Sequence, residues 1–343
     1  MKMPKCGSQC ILCDIPIRLD TYVGCSHGCK YCFAEKFRDM KDIEVDETAT
    51  QLKGFIEGKR NDTTNWCDWN IPLHIGGMSD PLQPVEKQKR VFYECLKVLV
   101  DTQYPYVVST KGRLLGDEEY LSLIEKSNGV VQVSLVCSSY DKIETGCPSF
   151  EERLNIIRKV APRVKRVIVR IQPYMHEVFD EVFENLEKFK KAGVYGVVVE
   201  GMKFPKKIEG LVKVGGDFTY PYDVILSDFL KLKDEAHRVG LKIYAGENRI
   251  RKYGDSLSCC GFDGLEGFVG NCYNLNHILN GDKQVPEKNS KMFEEGTGGA
   301  FTAISANTKN SKKYHNQSFY YSMLEYYKKK KNQVDIIMGV KKK

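Results

Sequence analysis

Gly24-Cys25-Ser26-His27-Gly28-Cys29-Lys30-Tyr31-Cys32-Phe33-Ala34 is the stretch from which the rest of this 343-residue chain can be read. It sets three cysteines at a C-x3-C-x2-C spacing inside one short turn. Thiolates this close suit an iron–sulfur cluster, because cysteine sulfur is the usual protein ligand of iron in such clusters. A [4Fe-4S] cubane has four irons, so a local trio leaves one iron without a protein sulfur. An open coordination position is what separates a reactive metal site from a closed structural one. A zinc knuckle would need a fourth ligand, and His27, inside the first gap, is too cramped to wrap the same ion.

Outward from this loop the chain alternates short apolar strands with amphipathic helices. Strands are predicted over residues 17–23, 71–77, 106–110, 130–136, 164–171, 194–200 and 241–245. Helices are predicted from Pro84 through Val100 and over residues 117–126, 149–160, 176–190 and 222–239. Ser149 and Glu152 have the spacing of a capping box. Such alternation means an α/β fold with a parallel sheet and right-handed crossovers. Six or seven units are too few for a closed eight-fold barrel. The expected fold is therefore a partial (β/α)6 TIM-like barrel, an open parallel sheet over residues 17–253. A cysteine-rich segment, residues 1–16, precedes it. An irregular C-terminal extension, residues 254–343, follows, where Gly, Asn and Ser become dense. Chemistry in such sheets gathers at the carboxyl ends of the strands, which is where the cysteine loop falls.

The composition, 42% hydrophobic and 28% charged, is that of an ordinary globular protein. No apolar run is long enough to span a bilayer, and Met1-Lys2-Met3-Pro4-Lys5-Cys6 lacks the apolar stretch of a secretory signal. A cytoplasmic location is expected, where thiols stay reduced, so 13 cysteines argue for metal ligation and core packing and against disulfides. The net charge of +7 lies partly in Lys328–Lys331 and Lys341–Lys343. Basic tails can bind phosphate backbones, and equally can be solvated faces that aid solubility.

The Gly24–Ala34 segment, with aromatic Tyr31 before its last cysteine, resembles the signature of the radical S-adenosylmethionine (SAM) superfamily. With Gly77-Met78-Ser79-Asp80-Pro81, Ser149 to Arg153 and the strand-helix order, the chain is similar to the spore photoproduct lyase-like branch over residues 17–250. The resemblance implies a partial barrel whose [4Fe-4S] cluster, held by Cys25, Cys29 and Cys32, offers its open iron to the amino and carboxylate groups of SAM. It further implies reductive cleavage of SAM to methionine and a 5′-deoxyadenosyl radical that abstracts hydrogen from a substrate. A flavodoxin or ferredoxin would be the electron donor. Gly76-Gly77, after the second strand, resembles the glycine-rich segment that meets the SAM amino group. Photoproduct lyases carry a hydrogen-donor cysteine just before their Ser-Asp. Gly77 or Met78 stands there in this chain, a departure that argues against repair of that DNA lesion.

Other candidates rest on position. Ser109 and Lys111 end the third strand, and Glu144 and Arg153, around the fourth strand and its helix, could meet the SAM ribose and carboxylate. Gln172 and Glu200, at the fifth and sixth strand ends, could face the cavity; Glu200 follows apolar residues and would be costly inside unless paired or functional. Cys137 closes the fourth strand and could donate a hydrogen atom or simply fill a small apolar space. A second C-x3-C-x2-C, Cys6, Cys10 and Cys13, lacks the preceding strand and the aromatic residue, so catalysis is assigned to the later trio. Cys6, Cys10 and Cys13, with Cys259, Cys260 and Cys272, could converge on a second iron–sulfur cluster or a zinc site if the chain ends pack together. Cys95 lies on an apolar helix stripe, and Cys67 and Cys147 show no pattern. Three functions are compatible with these features. A radical SAM enzyme could act on a nucleic acid or other large substrate, as the basic–aromatic run from Lys312 to Tyr327 suggests. It could instead modify a peptide, protein or small metabolite. The third is a non-catalytic iron–sulfur or zinc protein that binds nucleic acid.

Overall fold

The computed structural model describes residues 3–7, 9–281, 284–305 and 311–341. Its strands are Lys5–Cys6 (β1), Ile17–Leu19 (β2), Tyr22–Val23 (β3), Glu44–Val45 (β4), Leu73–Ile75 (β5), Tyr106–Thr110 (β6), Gly129–Ser134 (β7), Val167–Tyr174 (β8), Gly196–Gly201 (β9), Val212–Val214 (β10), Asp217–Thr219 (β11) and Lys242–Ala245 (β12). The main sheet runs β1-β2-β5-β6-β7-β8-β9-β12. Every pairing from β2 to β12 is parallel, and β1 adds antiparallel to β2, pairing Lys5 with Arg18 and Cys6 with Ile17. The sheet is open and α/β, as the strand count implied. No helix among the described residues is long and apolar enough to cross a membrane.

Sheets built from βαβ units are covered on both faces, so their strands read as unbroken apolar runs. Tyr106-Val107-Val108-Ser109-Thr110 is buried at every position. Alternation then sorts the side chains. Val108, Val131, Val169, Val197 and Ile243 join the helix-side core. Val107, Val130, Ile168, Val198 and Tyr244 point the other way, toward Ile15, Cys260, Phe262 and Phe268. The C-terminal extension therefore covers the concave side of the sheet with Cys260, Phe262 and Phe268, while its Phe301, Phe319 and Val334 join the helix-side core. It is tied to the N-terminal segment by Asn271 N to Asp14 O at 2.7 Å, Leu275 N to Ile11 O at 2.8 Å, and the Asn274 amide to Asp14 at 2.9 Å. The two ends of the chain meet there.

Two predicted elements are interrupted, each by a buried carboxylate. The strand over residues 17–23 stops at Leu19, and Tyr22–Val23 pairs with Glu44–Val45. Between them Asp20 is buried and accepts Met78 N at 2.8 Å. The helix starting near Pro84 splits at Arg90, whose φ is 55°, into Glu86–Lys89 and Val91–Thr102. Glu86, buried, accepts Phe92 N at 3.0 Å and Tyr93 N at 2.8 Å, satisfying orphan donors at the start of the second piece.

The basic–aromatic run packs much of its aromatic surface inward. Phe319 stacks on Trp66 with ring centroids 4.5 Å apart, and Phe301 packs against Tyr314, Phe319 and Tyr326. Aromatic surface buries far more area against apolar partners than on a solvated face, so the run turned inward. Tyr321 is the exposed exception. Lys342, Lys343 and the Lys312 side chain lie outside the described residues.

The capping box is present: Glu152 N donates to Ser149 Oγ and Ser149 N to Glu152 Oε2 at 2.8 Å, opening the helix Phe150–Val160. Replacing Ser149 with Ala is expected to cost about 1 kcal/mol. Chemical denaturation checks it, with a lowered midpoint and an unchanged slope as the expected outcome.

Candidate functional site

The cysteine loop begins directly after β3, the short strand that follows β2 and pairs with β4, and its shape is dictated by glycine and by borrowed hydrogen bonds. Gly24 has φ +83°, and a Cβ on it would meet Asp42 O at 2.2 Å, so no other residue fits. Cys25 N donates to Met40 O at 2.8 Å, Ser26 N to Gln83 Oε1 at 2.9 Å, and Lys30 N to Ile143 O at 2.9 Å. Cys32 N reaches back to Cys29 O at 3.0 Å and starts the short 3₁₀ turn Phe33–Lys36. His27 is fully committed: Nε2 lies 3.0 Å from Asp80 Oδ2 and Nδ1 lies 3.1 Å from Gly146 O. Burial alone would lower its pKa, but the Asp80 carboxylate overrides this and holds the imidazole above its usual value. With both ring nitrogens occupied, His27 is a positioning residue and no ligand.

Asp80 is the hub. Besides His27 it accepts Thr110 Oγ1 at 2.7 Å, Lys111 N at 2.6 Å and Leu82 N at 2.8 Å. Burial opposes its ionisation, and the His27 contact and these bonds outweigh burial, keeping its carboxyl below the usual range. One buried carboxylate thus ties the cysteine loop to the carboxyl ends of β5 and β6. Ser79 and Asp80 are the polar members of the Gly77–Pro81 segment, and both act on this loop: Ser79 Oγ donates to Tyr22 O at 2.6 Å.

A second buried network lies behind Cys29. Glu144 accepts the Tyr31 hydroxyl, pairs with Arg153 Nη2 at 2.5 Å and faces Lys111 Nζ at 4.0 Å. Arg153 Nη1 donates to Ser134 O at 2.7 Å. Glu144 and Arg153 are 2% and 1% exposed, so their first partners are each other and the aromatic residue of the cysteine motif. Gly76 and Gly77 have packing reasons of their own. A Cβ on Gly76 would meet Ser109 O at 2.3 Å, and one on Gly77 would meet Arg18 Cδ at 2.7 Å.

Ser109, Gln172 and Glu200 fall into a third group, a polar row inside the concave face. It runs from His74 Nε2 to Ser109 Oγ at 2.9 Å, and from Ser109 Oγ to Gln132 Oε1 at 2.9 Å. Arg170 bridges Gln132, at 2.8 Å, and Gln172; Gln172 donates to Glu200 at 2.8 Å, which pairs with Lys203 at 2.6 Å. Glu200 is therefore paired: burial opposes its charge, and Lys203 keeps its pKa below the usual value. Burial, then Arg170 and Arg18, push His74 down to about 3, so its ring is neutral in ordinary buffers.

The structure places Cys137 elsewhere. It is fully buried in the helix-side core, with its sulfur 3.4 Å from Ser139 Oγ, on the face of the sheet opposite the polar row. Cys95 is buried in the same core. Cys147 is what sequence pattern missed: its sulfur lies 3.8 Å from Cys29 Sγ. Only a fold that brings the loop after β7 onto the cysteine motif creates that contact. The Cys147 thiol, with Lys111 nearby, draws the Cys29 pKa down, while burial and Asp80 push Cys25 up to about 12 and burial raises Cys32. Among the described residues, no three His, Cys, Asp or Glu side chains form a site for a single ion. A lone zinc thus finds no ready cage, whereas ligands of a cubane bind separate irons and need not converge on one point. The donor set of Cys25, Cys29 and Cys32, all thiols on one constrained turn, fits a cluster.

No family model matches the chain. It is 25% identical over 204 residues to the uncharacterized proteins Rv2578c of Mycobacterium tuberculosis and Mb2609c of Mycobacterium bovis; the match takes in 55% of this chain and 59% of each of theirs. The chain thus spans about three fifths of the length of the curated relatives it matches. Among solved structures, a variant of spore photoproduct lyase superposes with a TM-score of 0.54 at 16% identity, covering 67% of this chain and 77% of that one. Another spore photoproduct lyase variant, solved with bound AdoMet and dinucleoside spore photoproduct, gives 0.52 at 15% identity over 67% and 76%. The chain shares their fold.

Two outcomes are expected from this geometry. His74 in the unfolded chain takes a proton below about pH 6.5, which the folded chain refuses until about pH 3. The fold therefore loses stability as pH falls through that window. Melting curves at pH 7 and pH 5 should show a smaller drop for His74→Gln than for the parent. Treating the metal-free chain with a small-molecule disulfide should join Cys29 to Cys147, transferring two electrons and two protons to the reagent. Peptide mapping would detect the link, and Cys147→Ser should abolish it.

Proposed function

We propose that the chain is a radical SAM enzyme whose [4Fe-4S] cluster is held by Cys25, Cys29 and Cys32. The observation that carries this reading is the placement of that trio. It sits on a turn following the first parallel strand, at the carboxyl end of an open α/β sheet, pinned by Asp80 and by the Tyr31–Glu144–Arg153 network. When bound, the cluster and SAM supply reductive cleavage of the sulfonium and a 5′-deoxyadenosyl radical that takes hydrogen from a substrate. The rest is the protein's work of positioning and exclusion of water.

In this reading Asp80, through His27 and the Lys111 amide, fixes the spacing of the three sulfurs. Lys111, whose ammonium is Glu144's neighbour and whose backbone is Asp80's partner, presents a cation at the mouth for the SAM carboxylate. Gly76 and Gly77 keep side chains off the path of the methionyl group. Glu144 and Arg153 act from behind, orienting Tyr31 and Lys111. Gln172, Glu200 and Ser109 belong to the substrate side, where Arg170, Lys203 and neutral His74 complete a polar wall. That wall suits a polar metabolite or side chain entering the concave face. The solved lyase with its dinucleoside supports a nucleic-acid substrate, although here the aromatic run gives no help. A flavodoxin or ferredoxin would deliver the electron.

Anaerobically reconstituted protein given dithionite and SAM should form 5′-deoxyadenosine. Cys29→Ala should reduce that product to background, and Cys272→Ser should leave it unchanged. Product from Cys29→Ala equal to that of the parent would remove the trio from the chemistry.

A further inference from the structure

Five of the six cysteines at the two ends of the chain, widely spaced in sequence, come together, with Cys6, Cys10 and Cys260 buried and Cys13 and Cys259 half-buried. Cys6 is within hydrogen-bonding reach of Cys10 and close enough to Cys13 to feel its charge. Cys13, Cys259 and Cys260 pack in one cluster on the concave face of the sheet, beside Ile15 and Tyr244. Cys272 stands apart, its thiol 3.1 Å from Gln284. The assembly depends on the joining of the chain ends described above and on β1, which brings Cys6 into the sheet beside Ile17.

Cysteines can fill a core as small apolar groups. These have the wrong neighbours for that. Arg251, 6% exposed, reaches Cys259 and lies near Cys13 and Asp14, yet its Nε has no hydrogen-bond partner. Arg18 neighbours Cys6 at the other end of the thiol chain, and its Nε is likewise buried and unpartnered. Buried guanidinium groups with idle donors are costly unless an anion offsets them. Iron–sulfur clusters ligated by four thiolates carry net negative charge and accept hydrogen bonds at their sulfurs. Soft thiolates in number select iron–sulfur clusters or zinc, and the described residues offer no cage for a single ion.

We propose that Cys13, Cys259 and Cys260, completed by Cys6 or Cys10, hold a second iron–sulfur cluster between Arg18 and Arg251. Cys259 also neighbours Arg170 and Glu200 of the polar row, so this centre borders the substrate side of the sheet. It does not depend on the catalytic trio, and its test separates the two.

The protein lacking the catalytic ligands, Cys25→Ala/Cys29→Ala/Cys32→Ala, is purified without oxygen and assayed for iron, acid-labile sulfide and visible absorption. About two to four irons per chain with matching sulfide are expected. Adding Cys13→Ser and Cys259→Ser should take both to background, and adding Cys272→Ser should not. A folded triple variant free of iron, or one holding zinc without sulfide, overturns the proposal. If the triple variant does not fold, full-length protein with intact Cys25, Cys29 and Cys32 decides. Cys13→Ser/Cys259→Ser should then lose about half of its iron while keeping SAM cleavage, and an unchanged iron content overturns the proposal.

Discussion

The whole arrangement depends on one buried carboxylate. Asp80 gathers a histidine from the cysteine loop, a hydroxyl from β6 and backbone amides from its own turn and the next. A carboxylate with that many donors stays ionised even in a dry setting, because each bond favours the charged form. Removing it would leave one imidazole nitrogen and two backbone amides buried without that partner, a penalty of several kcal/mol in comparable cases. The cysteine turn has few apolar residues to anchor it: Phe33 and Phe37, at its exit, are exposed. Its rigidity comes from polar bonds to the strand ends.

Around that hub the polar groups separate into layers. Behind the cysteines, Tyr31, Glu144, Arg153 and Lys111 neutralise one another. Within the concave face, the row from His74 to Lys203 crosses five strand ends with each member bonded to the next. Such connected networks fix a unique arrangement where a half-satisfied one would be a liability. At the far side of that row, where the chain ends meet, the bonding is incomplete, with idle donors on Arg18 and Arg251. The contrast between a saturated row and an unsaturated cysteine pocket marks the latter as built around something else.

Much of this was legible in the sequence. Strands such as Tyr106–Thr110 and the helix opened by Ser149 announce themselves by local periodicity and capping, which need no tertiary information. The cysteine turn was legible for the same reason, since its three sulfurs are near neighbours in the chain. Elements broken by buried carboxylates were not: Asp20 and Glu86 interrupt their segments by binding amides elsewhere, which no periodicity reports. Cys147 carried no signal at all, because its meaning comes from a residue 118 positions away. In the tail, tyrosines flanked by lysines read as a stripe in sequence, and only the fold shows Trp66 and Phe301 packed against its aromatic residues. Of the two readings of Cys137, the small apolar space-filler is the one its packing matches, since its side chain lies on the helix side of the sheet.

The central claim is a cluster with one iron open to SAM on Cys25, Cys29 and Cys32. Its most direct test is the electron paramagnetic resonance spectrum of the reduced protein, recorded before and after SAM is added at low temperature. A signal that requires all three cysteines and changes its g-values on adding SAM is the predicted result. A spectrum indifferent to SAM, or one that survives replacement of the trio unchanged, would contradict it.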